Sequence, residues 1–344
     1  MIVTVTLNPA LDLTYAVDAL VPHGTHRVST VAERPGGKGL NVARVLHTLG
    51  EPVLATGLLG GATGNRVAGL LTAEGVRSSF VRIAGETRRT VAVVDDTDAT
   101  GFWEPGPAIT AGEWSLFLAE FRELLGPATV VTLSGSLPPG VPIDAYAQLI
   151  ALAEAVAVPT VLDTSGAALR AGLLAGPTVA KPNAEELAAI LHTANVRRPG
   201  PWGLAETVRA LSAGPVVVSR GAAGLVAVAG DDVWECVPPV PVEGNPTGAG
   251  DACVAALARG LRDRTPWPDL LSDAVALSAA AVAAPVAGAF DPDVYRQTQA
   301  TATPVAATPD TTPPVVASAD TATPVAASPD TTPPAGGTRV RTHR

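Results

Sequence analysis

Short runs rich in Val and Ile alternate with amphipathic stretches along most of the chain, and no other feature restricts its fold so strongly. Strands are expected at 2–7, 53–57, 129–133, 158–162, 215–219 and 224–229. Helices are expected near 40–49, 65–74, 113–125, 142–156, 183–191, 203–212 and 249–263. Strand–helix alternation of this length predicts an α/β fold, a three-layer α/β/α sandwich on a mainly parallel sheet. Ligands of such sheets bind beyond the carboxyl ends of the strands. Runs around 13–18, 27–33, 80–83 and 90–95 do not fit the alternation. They are expected to form a small separate β-sheet lid, with strands within about 13–33 and 80–104.

The alternation ends near residue 298. "TATPVAATPDTTPPVVASAD" (301–320) is followed by "TATPVAASPDTTPPAGGTRV" (321–340), a near-repeat of twenty residues. Pro, Thr and Ala dominate it, and such a composition buries too little apolar surface to fold alone. Residues 1–298 are therefore expected to form the folded domain. Residues 299–344 are expected to be a disordered tail, dispensable for stability and chemistry.

With 344 residues, 47% of them hydrophobic, the chain is long enough for one large core. Its net charge of −9 argues against a nucleic acid or an anionic membrane as the main partner. The stretch "VALSAAAVAAPVAGAF" (275–290) is alanine-rich and broken by Pro285, so it reads as a buried helix and not a membrane span. The only cysteines, Cys236 and Cys253, lack metal-ligand spacing, and "MIVTVTLNPALDL" begins as a strand with no secretory signal. A cytoplasmic location is expected.

Two common nucleotide motifs fail. The one Gly-Lys pair is followed by Gly39, not by Ser or Thr as a P-loop requires, and no G-x-G-x-x-G follows the first strand. "RPGGKGLNVARVLHTLG" (34–50) is more informative. Its glycines permit close backbone approach, Lys38 brings a mobile positive charge, and Asn41 offers an amide to hydroxyls. The ordinary alternative is a glycine-rich helix entry with a solvated lysine. In "TLNPALDLTY", Asn8 and Asp12 follow the first strand and suit either sugar hydroxyls or a turn. "VAKPNAEEL" (179–187) sets Lys181, Asn183 and Glu186 around a helix start, as a capping box or as a seat for Mg²⁺ carrying phosphates.

"GNPTGAGDAC" (244–253) places Gly248, Ala249 and Gly250 at a helix start with Asp251 beside them. Three such amides suit an anion hole for a phosphoryl group in transfer. Asp251, kept ionised by the same helix end, is then placed to take the proton of the attacking hydroxyl.

Taken together, "TLNPALD", "PGGKGLNVARVL", "TGLLGG", "TLSGSLPPGVP", "LDTSG", "KPNAEEL" and "NPTGAGDA" stand in the order found in the ribokinase/PfkB carbohydrate kinases. Within that family the chain resembles the 1-phosphofructokinase and tagatose-6-phosphate kinase branch, over essentially all of 1–298. The resemblance implies a ribokinase-like sandwich with a β-lid, ATP as donor, Mg²⁺ as cofactor and Asp251 as catalytic base. It implies that Asn183 and Glu186 serve Mg²⁺ and phosphate, and that Ser219, Gly221 and Gly224 form the ATP loop. It further implies that Asp12, Gly37, Lys38, Asn41 and Arg88 meet a phosphosugar. Arg27 joins Lys38 and Arg88 as a third cation expected on the sugar side.

One departure concerns the substrate. "ETRRTVAVV" (86–94) has Arg-Thr after Arg88, where fructose-1-phosphate enzymes look like Thr-Arg-x-Asn, and "LDTSG" looks closer to the tagatose-6-phosphate branch. The expected partner is a ketohexose monophosphate, tagatose 6-phosphate or fructose 1-phosphate, with a homodimer formed through the lid. The alternatives are an unphosphorylated sugar or nucleoside, or a non-catalytic sugar-phosphate-binding regulator.

Overall fold

The computed structural model describes residues 1–190, 201–212, 214–298 and 300–305, without the side chain of Trp202. In chain order, β1 (Ile2–Thr6) leads into β2 (Ala10–Ala16), β3 (Thr30–Gly36) and α1 (Lys38–Thr48). Next come β4 (Val53–Gly60), α2 (Gly61–Ala73), β5 (Ser78–Ile83), β6 (Arg88–Val94), β7 (Ala99–Trp103) and α3 (Ala111–Leu125). The middle of the chain forms β8 (Val130–Ser134), α4 (Ala145–Glu154), β9 (Thr160–Asp163), α5 (Gly166–Leu174), β10 (Val179–Ala180) and α6 (Ala184–Ile190). The rest forms α7 (Pro201–Leu211), β11 (Val216–Ser219), β12 (Leu225–Ala229) and β13 (Asp232–Val237), then α8 (Ala249–Asp263), α9 (Trp267–Ala283), α10 (Pro292–Gln297) and β14 (Thr301–Pro304).

The main sheet has ten strands in the order β14-β13-β12-β11-β10-β9-β8-β1-β4-β5. From β5 to β11 every pairing is parallel, and from β11 to β14 every pairing is antiparallel. Strand β1 is buried at all five positions, as a strand covered on both faces must be. On one face Ile2, Ala55, Val130 and Val161 pack with Leu40 and Leu46 of α1 and Val254 and Leu257 of α8. On the other, Val3, Val5, Leu133 and Leu162 pack with Phe117 of α3, Tyr146 of α4 and Leu169 of α5. The three-layer α/β/α sandwich is thus observed.

The lid is a second sheet, β3-β2-β6-β7. Its composition differs from expectation in one place: residues 80–83 belong to β5, which pairs with β4 at the edge of the main sheet. Within β5 the apolar Phe80, Val81 and Ile83 are mixed with Ser79 and Arg82, a short run that suits either sheet, so pattern alone does not separate the two.

The domain boundary also moves. Residues 301–304 form β14 on the edge of the main sheet, so the fold continues past 298 into the first repeat. Small residues suffice there because backbone pairing, not side-chain volume, attaches an edge strand. The remainder of the expected tail, from 306, lies outside the described residues. Among the described residues no helix is long and apolar enough to cross a membrane. The alanine-rich segment forms most of α9, which stops at Ala283, just before Pro285.

Candidate active site

Gly248 caps α8 with φ 94°, a left-handed conformation, and a side chain there would come within 2.9 Å of the Ala287 backbone. The Ala249 N–H donates to the Pro246 carbonyl at 3.2 Å. Of the three amides expected to receive an anion, that of Ala249 is therefore taken up by the turn. The first-turn amides of Gly250 and Asp251 have no intrahelical acceptor, so their N–H groups are left to point out of the helix end.

Asp251 is only 6% exposed, and its Oδ2 accepts a hydrogen bond from Asn41 Nδ2 at 2.8 Å. Burial and the nearby Asp163 charge push its carboxyl up to about 7, against the opposing pull of Asn41, Lys38 and Lys181. From sequence the helix end is expected to keep Asp251 ionised; burial holds its pKa up at about 7 instead. A helix N-terminus stabilises a carboxylate by roughly 0.3–1 kcal/mol, and full burial outweighs that.

The centre of the site is a residue that sequence reasoning did not single out. Asp163, at the carboxyl end of β9, has a side chain 1% exposed, with Oδ1 3.2 Å from Lys38 Nζ and 3.3 Å from Lys181 Nζ. Its Oδ2 has no hydrogen-bond partner among the described residues. The available signal was its place in "LDTSG", an acid at the end of a predicted parallel strand. Lys38 Nζ also lies 3.7 Å from Glu186 Oε1. Burial by itself would lower the Lys181 pKa, but Asp163 and the other anions hold it above its usual value.

Asn183 and Glu186 form a reciprocal cap on α6. The Asn183 N–H donates to Glu186 Oε2 at 2.8 Å, and the Glu186 N–H donates to Asn183 Oδ1 at 2.7 Å. Ser219, at the end of β11, bridges to Asn183, and its N–H donates to the Pro182 carbonyl at 3.0 Å. Gly221 is exposed at the tip of the following turn. Gly224 is buried at φ 77°, and a side chain would meet the Cys236 carbonyl at 2.1 Å, so the hairpin itself demands glycine there.

On the lid side, Asp12 of β2 accepts from the Thr90 hydroxyl, and the absence of a side chain at Gly36 leaves room for its carboxylate. Burial raises the Asp12 pKa despite that bond. Arg88 donates through Nε and Nη2 to the Asn8 carbonyl, both at 3.2 Å. Gly37 is the N-cap of α1. Arg27 is exposed in the loop between β2 and β3, with no polar partner among the described residues. Each of the three cations expected on the sugar side, Lys38, Arg88 and Arg27, stands in its own surroundings. Lys38 belongs with Asp163, Lys181 and Glu186, and Asn41 holds the buried acid.

The model of the pfkB family of carbohydrate kinases matches residues 5–293. The chain belongs to this family. Phosphofructokinase-2 from Escherichia coli, in its potassium complex, is similar at 30% identity and TM-score 0.81, covering 87% of this chain and 97% of that one. Its complex with fructose-6-phosphate gives 31% identity, TM-score 0.79 and the same coverage. A protein described as a possible 1-phosphofructokinase from Thermotoga maritima is 27% identical at TM-score 0.79, covering 89% of this chain and all of that one. The protein is thus a sugar kinase of the pfkB family, a phosphotransferase with an alcohol acceptor, and the family's donor is ATP.

Proposed function

We propose that this pfkB kinase transfers the γ-phosphoryl group of ATP to a hydroxyl of a ketohexose monophosphate, giving the bisphosphate. The observation that carries this reading is the buried Asp251 at the start of α8, titrating near neutral pH with two lysines close by. A base works best when its pKa lies near the working pH. The substrate oxygen bonds to the γ-phosphorus as the bond to the ADP oxygen breaks, and the hydroxyl proton passes to Asp251. The Gly250 and Asp251 amides, with Gly248 shaping the turn, face the transferring phosphoryl group. Lys38 and Lys181, held by Asp163, offset its negative charge.

The site fits Mg²⁺ as this ion is usually held, by one or two carboxylates and several waters. Among the described residues no group of three His, Cys, Asp or Glu could cage a metal, whereas Glu186 and Asp163 both stand near Lys38, and Asp163 keeps one oxygen without a hydrogen-bond partner. Glu186, with Asn183 behind it, would hold the ion, whose charge would balance the nucleotide phosphates. Ser219 and Gly221 border the nucleotide side. Asp12 and Gly37 meet sugar hydroxyls, and Arg88 and Arg27 meet the phosphate already on the sugar.

Tagatose 6-phosphate and fructose 1-phosphate are the substrates the sequence motifs favour, and the fructose-6-phosphate complex of the similar E. coli protein adds a third. A kinase of unphosphorylated sugars is the second reading, favoured by the engagement of Lys38 with Asp163 in place of an open cation cluster. Exposed Val31, Phe102 and Trp103 on the lid strands support a homodimer through that sheet. The two free, buried cysteines are in keeping with a reducing cytoplasm. The test is ADP release with each ketohexose monophosphate and with free ketohexoses, the product identified by phosphorus NMR. Turnover confined to free sugars would remove the phosphosugar reading.

A further inference from the structure

Arg44, in the middle of α1, is 8% exposed, and its guanidinium bonds on two sides. Nε donates to an oxygen of Glu74, the C-cap of α2, at 2.6 Å. Nη1 donates to the Ala287 carbonyl at 2.9 Å, across 243 residues of chain. Glu74 by itself balances the charge. The second bond holds the backbone between α9 and α10.

Ala287 and Gly288 lie between that arm and the start of α8. A side chain added at Gly248, the cap of α8, would come within 2.9 Å of the Ala287 Cα and 3.3 Å of the Gly288 nitrogen. On the other side, a side chain added at Gly288 would come within 2.6 Å of Arg44 Nη1 and 3.0 Å of Asn41 Oδ1. Gly288 has φ 75°, so both its conformation and its surroundings call for glycine. The same segment is tied to the turn before α8, because the Asn245 N–H donates to the Val282 carbonyl at 2.9 Å.

Asn41 and Arg44 stand three residues apart, on one face of α1. Asn41 holds the Asp251 carboxylate directly, and Arg44 holds the backbone against which Gly248 rests. A shift of the α8 start would displace the carboxylate and the first-turn amides together. A misplacement of about 1 Å can cost roughly 100-fold in rate.

We propose that Arg44 is a positioning residue for phosphoryl transfer, holding Ala287 and Gly288 as a brace behind the Gly248 turn. This rests on the function proposed above for the start of α8. Lysine does not replace it, because a single ammonium on a flexible stem lacks the fixed fork that serves Glu74 and Ala287 at once.

The test measures amide hydrogen exchange and steady-state kinetics in wild type, Arg44→Lys, Arg44→Gln and Glu74→Gln. The informative amides are those of Asn245, Ala249 and Ala252, which donate to the carbonyls of Val282, Pro246 and Gly248. In both Arg44 variants these amides should exchange faster while those of β1 do not. Their kcat should fall roughly ten- to hundredfold, with KM for ATP and for the sugar within about twofold of wild type. Glu74→Gln keeps the arm on Ala287 and should leave the exchange and kcat close to wild type. Equal losses in Glu74→Gln and Arg44→Lys would reduce Arg44 to a partner of Glu74 and overturn the proposal. Unchanged exchange at the three amides in the Arg44 variants would overturn it too, as would faster exchange at constant kcat. A raised sugar KM at constant kcat would instead mark the charge of Arg44 acting on Asp12, and would also overturn it. Arg44→Gln, with no charge to bury, decides the same points if Arg44→Lys does not fold. Exchange needs no turnover, so a wild-type chain inactive on every ketohexose contradicts the kinase reading, while the three amides still show whether Arg44 braces the turn.

Discussion

Asn41 Nδ2 donates to Asp251 Oδ2 at 2.8 Å, joining α1 to the start of α8 across 210 residues of chain. The bond favours the ionised form of an acid that burial and Asp163 push up to about 7. Asn41 and Asp163 thus act on the same proton in opposite directions.

The pH profile of kcat/KM should show this. Asp251 must be ionised to accept a proton, so activity should fall on the acid side with a midpoint near 7 in the free enzyme. Asn41→Ala should move that limb to higher pH, because the donor to the carboxylate is gone. Asp163→Asn should move it lower, because a neighbouring negative charge is gone. Shifts in the same direction for both variants would contradict the account.

The same acid should reduce stability above neutral pH. Its pKa is raised from 3.8 in the unfolded reference to about 7 in the fold, so between these values the folded chain binds a proton that the unfolded chain has released. Folding is therefore opposed increasingly as pH rises through this window, and the penalty is complete above it. Asp251→Asn carries no such penalty, so its gain in Tm over wild type should be larger at pH 8 than at pH 5. Equal gains at the two pH values would mean that Asp251 is not shifted.

Arg88 offers two donors to the Asn8 carbonyl, and its charge acts on the lid-side acid Asp12. Arg88→Ala should lower kcat/KM for the phosphosugar by about 2–3 kcal/mol, roughly 30- to 150-fold, with KM for ATP nearly constant. Activity on a free ketohexose should barely change. Loss of ATP affinity with intact phosphosugar kinetics would reverse the two halves of the site.

A fourth expectation lies far from the chemistry. Ala157 follows α4 with φ 56°, a left-handed conformation in which its side chain costs roughly 1–2 kcal/mol. Glycine removes that strain but adds freedom to the unfolded chain, so Ala157→Gly should stabilise by about 0.5–1 kcal/mol. Chemical denaturation gives the value directly, and a destabilised variant would show that the strain is absent.

Much of this architecture could be read from local pattern. The helix expected at 249–263 is Ala249–Asp263, and β1, β4, β8, β9 and β11 of the parallel half lie within a few residues of their expected places, whereas the two-residue β10 is too short to carry a pattern. Those elements are long, apolar and bounded by glycine or proline, so local chemistry decides them. Asp163 is not legible from spacing because its partners lie on other elements: Lys38 is 125 residues away, and no spacing rule links an acid at the end of β9 to a lysine at the start of α1. β5 was assigned to the lid because strand pattern does not name a partner strand. β14 was assigned to a tail because composition reports side-chain burial and not edge pairing.

The central claim is that Asp251 receives the substrate proton at the start of α8. The direct test is steady-state kinetics of Asp251→Asn beside wild type, on whichever ketohexose monophosphate supports turnover, with nucleotide binding measured separately by calorimetry. The account predicts a kcat lowered by about 10²–10⁴-fold with ATP affinity nearly unchanged. Retention of more than about a tenth of wild-type kcat would contradict it, since a positioned base contributes far more than tenfold.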